Sequence, residues 1–273
     1  MTALIFDCDG VLADTERHGH LPAFNATFAD FDLPVRWSED DYAEKLRIGG
    51  GKERMASLFA DPAFVEQAHV PKGTSPADDA ARRDLLATWH RAKTAHFKRL
   101  VADGAVPPRP GIHRIITGAL DAGWTVAVAS TSAEESVRAV LARAVGEETV
   151  ARVPVFAGDV VPAKKPAPDI YLLALDRLGL NRADTLVVED SRNGLLAATG
   201  AGLACVVTVN GYTRDEDMSE ALLVVSTLGD PGEPPIEVLA NRGAARPQGL
   251  VTLDDLRACL DAPIPSPEEG DPA

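Results

Sequence analysis

Cysteine is scarce in this sequence, and its scarcity excludes a disulfide framework. The 273 residues include three cysteines, Cys8, Cys205 and Cys259. An odd number at such wide spacing is not the paired pattern of a disulfide-stapled domain. Cys8 and Cys205 lie within apolar runs, so we expect them to be buried thiols of a protein from a reducing compartment.

Positive charge is also in short supply. The chain has 27 Lys and Arg residues against 41 Asp and Glu residues, which gives a formal net charge of -14 at pH 7. Nucleic acids and anionic membranes are bound through basic surfaces, so the composition argues against both partners. An anionic substrate would need positive charge supplied locally, by a metal ion and a few basic side chains.

Long hydrophobic runs and internal repeats are missing as well. No apolar stretch approaches the roughly 20 residues that a membrane-spanning helix needs, and the amino terminus leads directly into a strand-like run. We therefore expect no membrane span and no signal or transit peptide in this chain. Its length is sufficient for one large domain or two small ones with a substantial core.

What the sequence does contain is a series of short apolar runs that end in polar residues. They lie at 4–6, 126–129, 186–188 and 205–207. Continuous apolar runs of this length are typical of strands buried on both faces of a parallel sheet. Helix-like segments begin at Ser132, Pro168 and Ser191, between the later runs and just after them. The alternation predicts a doubly wound, Rossmann-like α/β fold.

A long helical segment separates the first run from the second. Phe24, Phe28 and Phe31 recur at helical spacing, and residues 80–100 have a helix-like composition. The proline-rich stretch at 107–111 is typical of a turn that leads back into the core. Such insertions are tolerated where the ends of the inserted segment lie close together in an exposed loop.

These patterns predict an inserted α-helical cap domain and a loop-rich carboxyl-terminal extension. The predicted parts are a core of residues 1–16 and 106–220, a cap of residues 17–105, and an extension of residues 221–273. Within the extension we expect loops, one helix near 253–260, and disorder over 266–273.

The first polar cluster follows the first apolar run and reads Asp7-Cys8-Asp9-Gly10-Val11-Leu12-Ala13-Asp14-Thr15-Glu16. Two acids separated by one residue can face the same side just past a strand. One carboxylate could then attack phosphorus while the other transfers protons. An isolated Asp-x-Asp-Gly would equally be a turn; the full string favours the catalytic interpretation.

Three further polar groups follow later strands. Ser130 could donate a hydrogen bond to a phosphate oxygen, or it could cap a helix. Lys165, just before a proline, could pair with a phosphate, although a lone lysine is more often a surface charge. Glu189 and Asp190 are adjacent acids, and their negative charges repel each other unless a cation neutralises them. Their carboxylate oxygens are suitable ligands for magnesium. A helix-capping pair is the alternative.

In this order the motifs resemble those of the haloacid dehalogenase superfamily of phosphatases, over about residues 3 to 213. The resemblance implies that Asp7 is the nucleophile and Asp9 the general acid and base, while Ser130 and Lys165 hold the phosphoryl group. The superfamily's dehalogenases lack the second aspartate, so Asp9 argues against dehalogenation.

The same resemblance implies a Mg²⁺ cofactor. Asp190 would bind it together with Asp7, the backbone carbonyl of Asp9, and Glu189, which would act directly or through water. Magnesium and Lys165 would neutralise the phosphoryl oxygens so that the anionic nucleophile can approach.

The predicted cap carries a glycine-rich loop with two cations. Gly49, Gly50 and Gly51 allow close approach of the backbone to a ligand, and Lys52 and Arg54 could hold a second phosphate. A flexible interhelical loop with solvated charges is the alternative. This loop resembles the CbbY branch, as do 15–20, 23–25, 90–94 and 158–162.

The resemblance to that branch, and most to its plastid members, implies a substrate and a set of contacts. The branch removes xylulose-1,5-bisphosphate, a sugar bisphosphate that inhibits Rubisco of the Calvin cycle. The implied substrate-binding residues are Glu16, His20, Gly51, Lys52, Arg54, Lys93, Ser130, Thr131 and Lys165. Taken alone, His20 and His90 would be ordinary helix residues.

Two other functional classes stay open at this stage. A mutase of the β-phosphoglucomutase type shares the catalytic set and the cap, and an inactive binding or scaffold protein could retain the fold. We expect a monomer located in the chloroplast stroma, or alternatively in the bacterial cytoplasm.

Overall fold

A computed structural model describes residues 2–73 and 75–262. The chain divides into two compact units, one formed by Met1–Asp14 with Pro107–Ala273 and the other by Thr15–Val106. The cap predicted at 17–105 falls within the second unit. The disorder predicted for 266–273 concerns positions outside the described residues.

The elements alternate between strands and helices in the first unit and are helical in the second. The strands are β1 (Ala3–Phe6), β2 (Thr125–Ser130), β3 (Val155–Ala157), β4 (Thr185–Glu189), β5 (Ala204–Thr208), β6 (Leu223–Val225) and β7 (Val238–Asn241). The helices are α1 (Leu21–Asp30), α2 (Glu39–Leu46), α3 (Gly51–Ala56), α4 (Pro62–Gln67), α5 (Pro76–Ala102), α6 (Ile112–Asp121), α7 (Glu134–Val145), α8 (Glu147–Val150), α9 (Asp169–Leu178), α10 (Arg192–Gly200) and α11 (Leu253–Leu260). Shorter helical turns lie at Glu16–His20, Ser57–Ala60 and Arg182–Asp184.

The first unit is built on one sheet with the strand order β3-β2-β1-β4-β5-β6-β7. All neighbouring pairs are parallel except β6 and β7, which are antiparallel. Every residue of β1, β4 and β5 is buried, because helices cover both faces of a doubly wound sheet. The predicted α/β fold and its four core strands are confirmed.

Local signals in the sequence set the helix boundaries that were predicted. The Ser191 hydroxyl accepts a hydrogen bond from the backbone N–H of Gly194 and so caps α10. At the end of α9, Gly179 adopts the left-handed conformation with φ of +62°, which closes the helix and turns the chain toward β4.

The parallel strands bring the polar residues that follow them to one edge of the sheet. Asp7 follows β1, Ser130 ends β2 and Glu189 ends β4. The register aligns Phe6 with Val128 on one side and with Val188 on the other. The carboxyl ends of β1, β2 and β4 therefore lie side by side, which is where open α/β sheets bind ligands.

The region after residue 220 differs from the loop-rich extension that the sequence predicted. Helix α11 is confirmed, but β6 and β7 also form, and residues 221–262 belong to the α/β unit. The three residues of β6 are buried and pair with β5. The expectation of loops was wrong here: β6 lies within the apolar run 221–225, and the prediction gave more weight to the Pro- and Gly-rich composition of the segment that follows.

The helical unit has its own aromatic core. Trp37 packs against Phe24 and Phe28, with ring centroids 5.0 and 4.8 Å apart respectively. Phe31, the third residue of the predicted stripe, lies just past the end of α1 and is 38% exposed. No helix within 2–73 or 75–262 combines the length and the hydropathy needed to cross a membrane.

Candidate active site

Lys165 joins two buried carboxylates at the carboxyl edge of the sheet. Its ammonium nitrogen lies 2.6 Å from Oδ1 of Asp7 and 2.6 Å from Oε1 of Glu189, and it also donates to the carbonyl of Ala129 at 3.1 Å. All three charged side chains are buried. The sequence placed Lys165 in the site from its motif, and the fold brings it to Asp7 across 158 residues of chain.

Burial and charge shift the protonation equilibria of this group. Burial raises the pKa of Asp7 to about 8, helped by the negative charges of Glu189 and Asp9 and opposed by Lys165. For Lys165, burial alone would lower the pKa, but the carboxylates of Asp7 and Glu189 outweigh it and raise the pKa. Lys165 therefore stays positively charged at neutral pH.

Glu189 is held by neutral donors as well as by Lys165. The Tyr171 hydroxyl donates to Oε1 of Glu189, and the backbone N–H of Asp190 donates to Oε2 at 3.2 Å. A Cβ atom at Gly194 would collide with the Glu189 carboxylate, so the first turn of α10 approaches this side chain closely. The sequence did not indicate Tyr171, which occupies an ordinary core position of α9.

Asp7, Glu189 and Asp190 form a three-carboxylate cluster. Each offers an oxygen, and these oxygens lie within 4.8 Å of one another. Lys165 contacts two of the three carboxylates, and Arg109 interacts electrostatically with the third, Asp190. Three ionised carboxylates would still exceed these two positive charges. Closely spaced carboxylate oxygens are the donors that hard divalent cations prefer. The residues present thus fit a divalent metal ion.

Asp9 has a different environment from these three carboxylates. Its Oδ2 accepts a hydrogen bond from the Ser132 hydroxyl, and the cluster found among the described residues does not include its side chain. A role for Asp9 in metal binding rests on its backbone carbonyl. Ser132, two residues beyond β2, was not singled out by the sequence; its position after a buried strand was the available signal.

The neighbouring residues Ser130, which ends β2, and Thr131, which follows it, complete this polar segment. Ser130 is buried, and its Oγ accepts a hydrogen bond from the backbone N–H of Ser132 at 3.2 Å. Its own hydroxyl hydrogen can still be donated to a ligand. Thr131 is half-buried.

The loop after β1 is fixed by the guanidinium of a half-buried arginine. Arg109 donates to the carbonyl of Gly10 and also to the carbonyls of Thr208, Val209 and Ser226. It therefore ties the Asp7–Gly10 loop to the carboxyl ends of β5 and β6. The sequence predicted only a turn at this position.

In the helical unit, Glu16 and Arg54 belong to one polar cluster. The Tyr42 hydroxyl donates to Oε2 of Glu16 at 2.5 Å, and Arg54 donates to the Tyr42 oxygen at 2.9 Å and contacts Glu16 at 3.4 Å. Glu16 and Tyr42 are buried. The sequence indicated Glu16 and Arg54 but not Tyr42.

His20 and Lys93 form a second cluster in the same unit. Nζ of Lys93 lies 2.7 Å from Nδ1 of His20, and the His20 ring stacks on Phe97 with 4.2 Å between centroids. Both polar side chains are buried. Gly51 and Lys52 begin α3, and a Cβ atom at Gly51 would lie 3.3 Å from Nε2 of His90.

Comparison with known proteins gives consistent results. The family model of haloacid dehalogenase-like hydrolases matches residues 1–202. The chain is 47% identical over 232 residues to the "CBBY-like protein" of Arabidopsis thaliana, a match that covers 85% of this chain and 70% of that protein. It is 41% identical over 237 residues to "Protein CbbY, plasmid" of Cupriavidus necator, covering 86% and 88% of the two chains.

A solved structure resembles the fold described above. CbbY from Rhodobacter sphaeroides, crystallised as a variant with xylulose-(1,5)bisphosphate, aligns with a TM-score of 0.71 and 38% identity. The alignment covers 85% of this chain and 97% of that one. Together with the site geometry, these matches show that the chain belongs to the haloacid dehalogenase-like hydrolases, on their CbbY-like branch, and is a phosphatase.

Proposed function

We propose that this chain is a Mg²⁺-dependent phosphatase that converts xylulose-1,5-bisphosphate to xylulose 5-phosphate through an aspartyl-phosphate intermediate. The observation that carries the proposal is the joint presence of Asp7, Lys165 and Asp190 at one sheet edge, with Asp9 two residues beyond the nucleophile. The bisphosphate bound to the R. sphaeroides relative supports the substrate class.

In this proposal Asp7 and Asp190 would hold the metal, and Glu189, directly or through water, and the backbone carbonyl of Asp9 would complete the protein's contribution. When bound, Mg²⁺ supplies positive charge that offsets the phosphoryl oxygens and favours the ionised form of Asp7. The three-carboxylate cluster suits magnesium binding, because its oxygens lie close together and carry excess negative charge.

The chemical step assigned to Asp7 is attack on phosphorus. Its carboxylate oxygen forms a bond to phosphorus while the bond from phosphorus to the sugar oxygen breaks. Lys165 and the Ser130 hydroxyl donate to the phosphoryl oxygens and hold the group in line. Asp9, protonated at this stage, gives its proton to the leaving alkoxide.

The second half of the reaction returns the enzyme to its starting state. Asp9, now a carboxylate, takes a proton from water, and the water oxygen attacks the phosphorus of the aspartyl-phosphate. The bond to Asp7 breaks and inorganic phosphate leaves. The Ser132 hydroxyl supports this role, because its hydrogen bond to Oδ2 fixes the orientation of the Asp9 carboxyl group.

A bisphosphate substrate is supported by the cations of the helical unit. Lys52, Arg54 and Lys93 all lie in this unit of a chain whose net charge is -14. Two of them are positioned by polar partners, Arg54 by Tyr42 and Lys93 by His20. We assign this group to the phosphate that is not cleaved and to the sugar hydroxyls.

The proposal is tested with a panel of mono- and bisphosphorylated pentoses and hexoses, with Mg²⁺ and after chelation with EDTA. We expect release of one inorganic phosphate from xylulose-1,5-bisphosphate, and no release after chelation. Interconversion of glucose 1-phosphate and glucose 6-phosphate without phosphate release would instead identify a mutase. Undiminished turnover in EDTA would contradict the metal assignment, and no turnover on any phosphoester would favour a binding protein.

A further inference from the structure

Asn210 lies two residues beyond the end of β5, beside the acids that follow β4. Its side-chain amide nitrogen donates a hydrogen bond of 2.7 Å to Oδ2 of Asp190. Asn210 is half-buried, and Asp190 is buried. The contact therefore joins a neutral donor to one member of the three-carboxylate cluster.

The orientation of the Asn210 amide is fixed by its own loop. Its Oδ1 accepts from the backbone N–H of Tyr212 at 2.8 Å, and its backbone N–H donates to the Thr213 hydroxyl at 3.1 Å. An amide turned the other way would bring its NH₂ group against the Tyr212 N–H and its oxygen against a carboxylate. The nitrogen must therefore face Asp190.

The same oxygen of Asp190 is confined on its other side by Gly10. A Cβ atom at Gly10 would collide with Oδ2 of Asp190 and lie 2.8 Å from the Asn210 amide nitrogen. The guanidinium of Arg109 holds both flanking segments, since it donates to the carbonyl of Gly10 and to that of Val209. The position of Oδ2 is thus determined from two sides.

Asn210 also differs from Lys165 in the charge that it brings. Lys165 contacts Asp7 and Glu189 and offsets their negative charge, whereas the Asn210 amide is uncharged and contributes orientation to Asp190. Hydrogen-bond partners of this kind behind a metal ligand contribute strongly to metal affinity.

We propose that Asn210 is a positioning residue that orients Asp190 for the divalent cation. It holds Oδ2 of Asp190 in place through its amide N–H. The inference rests on the proposed metal-dependent function, but it concerns metal binding and not the identity of the sugar phosphate.

The test compares two substitutions of Asn210 with a control elsewhere in the α/β unit. N210A removes both hydrogen bonds of the side chain. N210S retains a hydroxyl that can accept from the Tyr212 N–H, but it is too short to reach Asp190. The control is N241A. Asn241 also accepts from the backbone N–H two residues ahead, that of Gly243, but its amide donates to the backbone carbonyl of Ala245 and not to a carboxylate.

Mg²⁺ binding to the metal-free protein is measured by calorimetry, and folding is checked by circular dichroism. We expect both Asn210 variants to bind Mg²⁺ about 10- to 100-fold more weakly than wild type, and N241A to bind as wild type does. In phosphate-release assays the Mg²⁺ concentration for half-maximal rate should rise in parallel, while KM for the sugar phosphate at saturating Mg²⁺ stays unchanged.

Two results would overturn the inference. One is wild-type Mg²⁺ affinity in a folded N210A protein. The other is full recovery of affinity in N210S, which would assign Asn210 to the turn alone. A wild-type protein that binds Mg²⁺ but hydrolyses no phosphoester would refute the proposed function and leave the role of Asn210 measurable by calorimetry.

Discussion

The ammonium nitrogen of Lys165 lies 2.6 Å from Oδ1 of Asp7, the residue to which we assign the attack on phosphorus. The same nitrogen contacts Glu189 at the same distance. Lys165 is thus the positive charge that both carboxylates share. It would keep Asp7 oriented before the substrate arrives and contact the phosphoryl oxygens during the reaction.

Replacing Lys165 by methionine should therefore affect both activity and stability. We expect K165M to lower the rate of phosphate release by about 10²- to 10³-fold, as for other preorganised donors. The metal-free variant should lose about 3–5 kcal/mol of unfolding free energy near pH 8, because buried carboxylates lose their partner. Steady-state phosphate release and urea denaturation in EDTA measure the two effects.

The adjacent Lys164 offers a matched control. Its ammonium lies 3.1 Å from Asp159, whose side chain is 58% exposed, and such a pair contributes about 1 kcal/mol or less. K164M should retain wild-type turnover and nearly wild-type stability. An equal loss of activity in K164M and K165M would refute the specific role of Lys165.

The sequence allowed the core of the fold and the main site residues to be predicted because both leave local signals. The runs that became β1, β2, β4 and β5 are continuous and apolar, and the residues after β1, β2 and β4 carried the predicted chemistry. Once the strands are paired in parallel, Asp7, Ser130 and Glu189 must lie at the carboxyl edge of the sheet, and no further information is needed to predict this. Strands β3 and β7 were missed because they are short and only partly buried, and β6 was missed because its apolar residues precede a Pro- and Gly-rich segment.

The supporting residues could not be predicted, because their roles depend on contacts between distant segments. Tyr171 has the spacing of a core residue in α9, and only the packing of that helix on the sheet brings its hydroxyl to Glu189. Ser132 reaches Asp9 across 123 positions, and Asn210 reaches Asp190 from the next strand. A hydroxyl or amide after a strand is a weak signal until its partner is known.

Asp7 itself is tested by an isosteric change. We expect D7N to abolish phosphate release, since an amide does not form the acyl phosphate, while the circular dichroism spectrum stays that of wild type. The control D261N changes an exposed aspartate at the end of α11 and should keep full activity. Intact-mass analysis of quenched reactions should detect a phosphorylated species in D261N and none in D7N. Wild-type turnover by D7N would refute the nucleophile assignment.

The raised pKa of Asp7 predicts a pH dependence of stability in the metal-free protein. The pKa of this carboxyl is about 8 in the folded chain against an ordinary value of 3.8, so between these values the folded state keeps a proton that the unfolded state releases. The stabilising contribution is complete below about pH 4 and is lost as pH rises toward 8. Its slope is at most about 1.4 kcal/mol per pH unit.

Urea denaturation in EDTA at pH 5, 6.5 and 8 measures this slope. The pKa of Lys165 is raised above its ordinary value, so Lys165 is protonated in both states over this range and adds no slope of its own. D7N lacks the titrating group. As pH rises from 5 to 8, the unfolding free energy of wild type should therefore fall relative to that of D7N. A difference independent of pH would contradict the raised pKa of Asp7.

Gly10 provides the last test, because backbone strain and a steric collision can be separated there. Gly10 has a φ of +75°, and a Cβ atom would collide with Oδ2 of Asp190. Gly123 has nearly the same φ, +77°, but a Cβ atom would meet nothing within 4 Å. Alanine at either position incurs the cost of the left-handed conformation, about 1 kcal/mol, while only G10A displaces Asp190.

We therefore expect G123A to lose about 1 kcal/mol of unfolding free energy and to retain wild-type phosphate release and Mg²⁺ affinity. G10A should lose more stability and, in addition, bind Mg²⁺ at least about 10-fold more weakly, as expected when the surroundings of a metal ligand are disturbed. Calorimetry with Mg²⁺ and urea denaturation of both variants distinguish the two effects. Equal Mg²⁺ affinity in G10A and G123A would show that Asp190 does not need its observed position to bind the cation.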